Sequence, residues 1–216
     1  PPKAVATSKI GPIDLATIDL SRDDVNLFYT LFANRTLWPL LHNFPTRAVI
    51  RHDAYRAYRR VNRRFAESLC SILREGDTVW VHDYHLISLG AELRALGWTG
   101  KVGFFLHTPF PPAESFAILP WARTLLEDLL AYDLAGFHTD RYAFNLIDAL
   151  ETELGGSARL NMYAFGKHRL RIASHPIGIN LSTFEASAHD ANDGPADSLA
   201  PLVPPNQRLI LGVDRL

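Results

Sequence analysis

The sequence predicts an α/β fold built on a doubly wound parallel sheet, and three observations predict it. Short apolar runs at 78–82, 101–107 and 133–137 alternate with helical stretches at about 86–96, 121–131 and 141–154. Strands alternating with helices of that length imply right-handed βαβ crossovers and parallel pairing. Two of the runs, Val79-Trp-Val-His-Asp-Tyr-His85 and Lys101-Val-Gly-Phe-Phe-Leu-His-Thr-Pro-Phe-Pro111, open abruptly from apolar strand into polar residues. In an open parallel sheet ligands sit at the carboxyl ends of the strands. His82, Asp83 and His85, with His107 and Thr108, therefore describe a site, most simply one for a polyhydroxylated or phosphorylated small molecule.

The remaining elements follow in order. Pro12 to Leu20 alternates as a strand. Ser21 and Asp24 form a Ser-x-x-Asp capping signature that opens a helix through about Asn34. Pro39 disfavours helical geometry at Trp38, which places Trp38 beyond that helix on a turn. A long helix from about Asp53 to Arg74 carries Tyr55, Tyr58, Val61, Phe65, Leu69 and Ile72 at steps of three or four, one core-facing stripe. Arg56, Arg59, Arg60, Arg63 and Arg64 occupy its other side, a solvated surface. Gly97 can end the helix that precedes the second strand. Arg159–Phe165 and Arg169–Ser174, joined around Gly166-Lys167, read as a hairpin. From 187 to 206 the chain is rich in Ala, Asp, Ser, Gly and Pro, a linker composition, and 208–213 is again strand-like.

Composition removes several classes. The chain has 216 residues, 47% hydrophobic and 21% charged, with formal net charge -1, an ordinary globular profile. Near-neutral charge gives no support for nucleic acid or an anionic membrane as partner. No apolar run approaches the ~20 residues that span a bilayer. The single cysteine, Cys70, excludes an intrachain disulfide, suits a reducing, cytoplasmic setting, and reads as a buried inert thiol beside a helical stripe. The loops and elbows of P-loop NTPases, nicotinamide dehydrogenases and serine hydrolases are absent.

Among the candidate residues, Asp83 at a strand terminus can accept bonds from sugar hydroxyls or act as a base; it can equally be a helix N-cap. His82, Asp83 and His85 make a poor metal set, because adjacent strand positions point to opposite faces and no Glu/His pair at helical spacing completes a shell. His107 is either a core histidine or a crevice-facing one. Tyr29 and Trp38, nine positions apart, would point in opposite directions on one straight helix, so sharing a pocket requires a break before Pro39.

His-Asp-Tyr-His (82–85), Gly-Phe-Phe-Leu-His-Thr-Pro-Phe-Pro (103–111), Asp-Leu-Ala-Gly-Phe-His-Thr (133–139), Pro-Ile-Gly-Ile (176–179) and Val-Asp-Arg-Leu (213–216) occur in the order seen in trehalose-6-phosphate synthases, and the chain resembles that family from about Pro12 onward. The resemblance implies a retaining glycosyltransferase of GT-B type, with Rossmann-like domains. Residues 1–186 would form the acceptor-side domain, lacking its first strand and glycine-rich loop; 187–206 the linker; 207–216 the first strand of a nucleotide-sugar-binding domain. It implies glucose transfer from UDP-glucose to glucose 6-phosphate, without metal or other cofactor. By position, Tyr29, Trp38 and Asp83 line the acceptor pocket, Trp38 and Thr108 select its α anomer, and His107 and Arg215 hold the donor; Asp83, His107 and Arg215 are the catalytic set. An Arg fork would stabilise charge on the leaving phosphate. The partners expected are a nucleotide sugar and a sugar phosphate, with self-association to a homo-oligomer left open. On this reading the 216 residues alone would not turn over. Alternatives are a sister enzyme making glucosylglycerol phosphate, a non-catalytic regulatory module, and a metal-dependent hydrolase.

Overall fold

Alternating burial along the strands decides the sheet. A computed structural model describes residues 6–182; the expected linker at 187–206, the strand at 207–216 and Arg215 lie outside them. Pro1–Pro176 makes one compact unit and Ile177–Leu216 a second. β1 (Ala6–Ile10) and β2 (Ile13–Thr17) form an antiparallel hairpin, so the strand expected at 12–20 is shorter and pairs with the segment before it. The main sheet has the order β3-β4-β5-β8-β7-β6. Its strands are β3 (Thr78–His82), β4 (Lys101–Leu106), β5 (Leu134–Phe137), β6 (Ser157–Arg159), β7 (Met162–Phe165) and β8 (His168–Ser174). β3, β4, β5 and β8 are mutually parallel, and β7 and β6 continue the sheet antiparallel. The expected hairpin is therefore real, but its second strand lies in the main sheet beside β5.

Each parallel step, β3 to β4 to β5 to β8, moves the same way across the sheet. Right-handed crossovers then put the connecting helices on one face: α4 (Leu89–Ala95), α6 (Ala122–Leu129) and α7 (Asp140–Leu154). The strand residues of that face, including Val79, Val81, Val102, Phe104, Leu106, Ala135, Phe137 and Ile172, are buried together with Leu125, Leu126, Leu146 and Leu150 from the helices. The opposite face carries Trp80, which is 65% exposed. One winding of the doubly wound arrangement is thus present among the described residues. A short helix that the sequence did not announce, α5 (Ala113–Phe116), buries Phe116 against α7.

Ser21 caps α1 (Arg22–Asp24) by accepting the Asp24 N–H at 3.0 Å. The helix then widens into a π-helix over Val25–Leu37 and returns to α geometry in α2 (Trp38–Leu41). Trp38 is consequently helical, with φ -56° and ψ -50°, and not on a turn. Its N–H bonds Ala33 O five residues back. In an ordinary helix the ring of Pro39 would collide with the carbonyl of Arg35; here that carbonyl leaves the helix and accepts the N–H of Val49 at 2.7 Å.

The long helix α3 runs from His52 to Cys70, shorter than its apolar pattern suggested. Its buried side is Ala54, Ala57, Tyr58, Val61, Asn62 and Ala66, the three alanines letting it approach its neighbours; Ile72 is 43% exposed beyond its end. The arginines are not simply solvated. Arg59 pairs with Glu92 at 2.8 Å and with Asp128, Arg60 pairs with Asp24 at 2.5 Å, and Arg63 bonds Glu67 and Glu92. Cys70 is half-buried, and burial pushes its thiol up.

Two buried tyrosines hold the connection between β3 and α4. Tyr58 donates to Tyr84 O at 2.9 Å and accepts the Ile87 N–H at 3.0 Å. Tyr132 accepts the Gly90 N–H at 2.9 Å, with Leu86 O and Ile87 O each 3.0 Å from its hydroxyl. Gly90 is glycine because a Cβ there would lie 2.6 Å from the Tyr132 ring. Ser88 adds a bond to buried Asp128 at 2.6 Å.

Tyr132→Phe strips a hydrogen-bond partner from these buried backbone groups and should cost about 1–3 kcal/mol; an unchanged urea midpoint would contradict it. Burial, opposed by Ser88 and Arg59, pushes the Asp128 carboxyl from 3.8 up to about 6. Between those values the unfolded chain ionises while the folded chain keeps its proton, so this contribution is full below pH 3.8 and is lost as pH rises through 6. Relative to Asp128→Asn, the native protein should lose roughly 2–3 kcal/mol between pH 4 and pH 7. Urea unfolding of both proteins across that range checks it, and parallel stability curves would exclude it.

Candidate functional site

The carboxyl ends of β3, β4 and β5 deliver His82 and Asp83, His107 and Thr108, and His138 to one edge. Cross-strand pairing of His82 with Phe105, and the Asp83 N–H bonded to Phe105 O at 2.8 Å, hold the first two turns side by side. His82 Nδ1 and His107 Nε2 are 2.9 Å apart. The His107 ring centroid lies 5.5 Å from that of His138.

Asp83 leaves β3 with φ 72° and ψ 167°, a conformation nearly confined to glycine that costs on the order of 1–3 kcal/mol. Its side chain makes no cap bond to the following 3₁₀ turn, Tyr84–Leu86, so the N-cap alternative is not what the residue does. One carboxylate oxygen, Oδ1, is buried without a hydrogen-bond partner. Three other buried polar atoms at this edge also lack partners: His85 Nε2, Thr108 Oγ1 and His138 Nδ1. Buried polar atoms are normally paired, and four unpaired ones clustered at a strand edge fit a site that a polar ligand completes.

A wall of aromatic rings rises beside them. Tyr29 stacks on His85 with centroids 5.3 Å apart and planes at 14°. Tyr84 lies under the same imidazole at 4.1 Å and donates its hydroxyl to Asn34 Oδ1 at 2.8 Å. Trp38 packs on His42 at 4.1 Å. Tyr29 and Trp38 are 50% and 43% exposed, amphipathic surfaces open to a ligand. An i→i+5 helix takes a little over four residues per turn, so nine residues make about two turns and bring both rings to one face. The break before Pro39 is unnecessary: the wide winding supplies the alignment.

Burial lowers the His85 and His82 pKa values; the His107 neighbour lowers that of His82 further, while Asp83 pulls both up. Burial, then the Asp83 and Tyr29 charges, push Tyr84 up to about 12. The imidazoles of His82 and His85 are thus held towards the neutral form. Among the described residues, no group of three or more His, Cys, Asp or Glu is placed to hold a metal ion. Asp83, His107 and Thr108 stand at this edge and Tyr29 reaches it by stacking on His85, while Trp38 packs on His42. His82, expected here from the sequence, belongs with them, and so does His138, which was not expected; its signal is position, because it follows a parallel strand as His107 does.

An open parallel sheet with its polar ligand edge at the strand carboxyl ends, roofed on one side by an aromatic helix face, is the architecture of a GT-B-type glycosyltransferase domain. The match to a solved α,α-trehalose-phosphate synthase (UDP-forming) from Burkholderia xenovorans in complex with glucose-6-phosphate has a TM-score of 0.85 at 33% identity, over 91% of this chain and 45% of that one. The sequence profile of glycosyltransferase family 20 matches residues 3–216, and the chain belongs to that family. A trehalose-6-phosphate synthase of Sinorhizobium fredii is 37% identical over 220 residues, 100% of this chain and 47% of its own. A bifunctional trehalose-6-phosphate synthase/phosphatase of Thermoproteus tenax is 42% identical over 184 residues, 84% of this chain and 25% of its own. The chain therefore spans half or less of the length of these curated relatives.

The strain at Asp83 is open to measurement. Asp83→Gly relieves it and Asp83→Ala keeps it, so the glycine variant should be the more stable of the two by about 1–2 kcal/mol, less the entropy glycine adds to the unfolded chain. Equal urea midpoints would mean that the backbone relaxes on substitution.

Proposed function

We propose that these residues are the acceptor-side domain of a retaining glycosyltransferase that moves glucose from UDP-glucose to the anomeric hydroxyl of glucose 6-phosphate, giving α,α-trehalose 6-phosphate. The observation that carries the reading is Asp83: a carboxylate with a buried, unpartnered oxygen, held on strained backbone at the end of β3, its N–H bonded to Phe105 O. Such a group binds sugar hydroxyls without first breaking a protein hydrogen bond. Asp83, Tyr29 and Trp38 take the acceptor. Trp38 and Thr108 favour its α anomer, and His107 meets the donor glucose. Arg215, outside the described residues, neutralises the departing diphosphate, so the reading needs no metal or other cofactor. Attack on the face from which UDP leaves keeps the configuration, the leaving phosphate helping to take the acceptor's proton.

The names of the relatives support the acceptor and the donor nucleotide: one solved neighbour is UDP-forming and holds glucose-6-phosphate. No helix among the described residues is long and apolar enough to cross a membrane. The reading places the enzyme in the cytoplasm, with its two sugar substrates as ligands and neither nucleic acid nor membrane as partner. It gives the isolated 216 residues no turnover, because the donor's second wall belongs to the other domain.

The test is nucleotide release by the complete protein carrying this domain, given UDP-glucose with either glucose 6-phosphate or glycerol 3-phosphate. Release should require glucose 6-phosphate, and Asp83→Ala should lower kcat/KM on the order of 100-fold. Release with glycerol 3-phosphate alone would move the protein to the sister activity. Silence with both acceptors would favour a regulatory module.

A further inference from the structure

His107 does not stand alone at the end of β4. His82 Nδ1 lies 2.9 Å from His107 Nε2, and the two imidazole planes are within 20° of each other at a centroid distance of 5.2 Å. Nearly coplanar rings at that spacing form an in-plane hydrogen bond, not a face-to-face stack. Both rings are packed from the side: Trp80 lies 4.4 Å from His82, and Phe105 4.8 Å from His107. Register fixes the pair, because His82 is opposite Phe105 and His107 stands two residues beyond it on the same sheet face.

A bond between two imidazoles holds one proton, so one ring nitrogen donates and the other accepts. If His107 Nε2–H donates to His82 Nδ1, both rings adopt the Nε2–H tautomer that free histidine prefers. His107 then presents a bare Nδ1, an acceptor for a hydroxyl hydrogen. The opposite polarity would force both rings into the less stable Nδ1–H form.

We propose that His82 is a positioning residue which, by accepting the Nε2–H of His107, locks the orientation and tautomer of His107 and leaves its Nδ1 free to accept a hydrogen bond from a donor-sugar hydroxyl. A partner on the far nitrogen commonly sets which nitrogen of a working histidine is available. The role rests on the proposed donor-side place of His107, but the pair itself does not. Partial desolvation, with His107 next to it, favours neutral His82, the form that can accept. His82 is itself exposed, so its replacement does not open the core.

The first measurement is long-range ¹H–¹⁵N correlation of the histidine side chains in the 216-residue chain, near neutral pH and without substrate. His107 should show protonated Nε2 and unprotonated Nδ1 as a fixed tautomer. In His82→Phe that signature should collapse to an averaged one, and in His82→Asn, whose Oδ1 can stand where Nδ1 stood, it should return. A wild-type His107 protonated on Nδ1, or already averaged, would overturn the proposal whatever the enzyme's substrate. In the complete protein, His82→Phe should lower kcat/KM for UDP-glucose about tenfold, with most of it restored by His82→Asn. Failure of Asn to outperform Phe in both measurements would leave His82 a packing residue. An intact tautomer in a protein that ignores UDP-glucose would sink the functional reading while sustaining the pair.

Discussion

The geometry of the site depends on two phenol hydroxyls. Tyr58 and Tyr132 both reach into the connection between β3 and α4 and bind backbone groups of Tyr84, Leu86, Ile87 and Gly90. A chain that turns out of a parallel strand leaves N–H and C=O groups unpaired in the interior, and each must find a partner. Here the partners come from α3 and from the residue two positions before β5, so helix, loop and neighbouring strand are fixed together. Asn62 contributes from the same helix face, bonding His85 O at 3.1 Å. Burial pushes both phenols up, which keeps them protonated and able to donate at any physiological pH. The loop that carries Asp83 is rigid because its backbone has nowhere else to bond.

That rigidity explains how an unfavourable conformation persists at Asp83. A residue with φ 72° and ψ 167° relaxes unless its surroundings over-determine it. On one side β3 pairs with β4 through His82; on the other the tyrosines hold the chain from Tyr84 onward. Only the Asp83 peptide can absorb the mismatch. The same constraint leaves its carboxylate oxygen unpaired, as it does for Thr108 Oγ1 and His138 Nδ1 on the adjoining turns. Four of the six unpartnered buried polar atoms among the described residues thus stand in the turns beyond the ends of β3, β4 and β5.

The sheet was legible in the sequence because its physics is local. β3, β4 and β5 are runs of apolar residues ending in His or Asp, and a parallel sheet puts such ends at one edge. Ser21 and Gly97 marked helix ends by chemistry that needs no tertiary context; Gly97 has φ 93°. The face of α3 was less legible. Tyr58 and Val61 of the expected stripe are fully buried and Tyr55, Phe65 and Leu69 pack against the core, but Ala54, Ala57 and Ala66 also face it with little hydrophobic signal, while Ile72 carries signal and lies outside the helix. Its arginines were read as solvent-facing because their partners, Asp24, Glu92 and Asp128, sit on other elements. The positive φ at Asp83 was invisible for the same reason: no local preference creates it.

The helix from Arg22 to Leu41 shows how a local rule can be sound and still mislead. Pro39 does disfavour α geometry before it, because of a clash with the carbonyl four residues back and a missing N–H. The chain meets that objection by changing pitch instead of breaking. With bonds spanning five residues, Trp38 N–H reaches Ala33 O, and the Arg35 carbonyl turns out to Val49. Ordinary winding at 3.6 residues per turn would put Tyr29 and Trp38 on opposite sides; the wider winding puts them on one. Proline thus acts here through register: by making the α spacing costly near Trp38, it favours the spacing that aligns two half-exposed rings. A replacement at Pro39 that let the α-helix close would rotate Trp38 away from Tyr29 while leaving the helix intact.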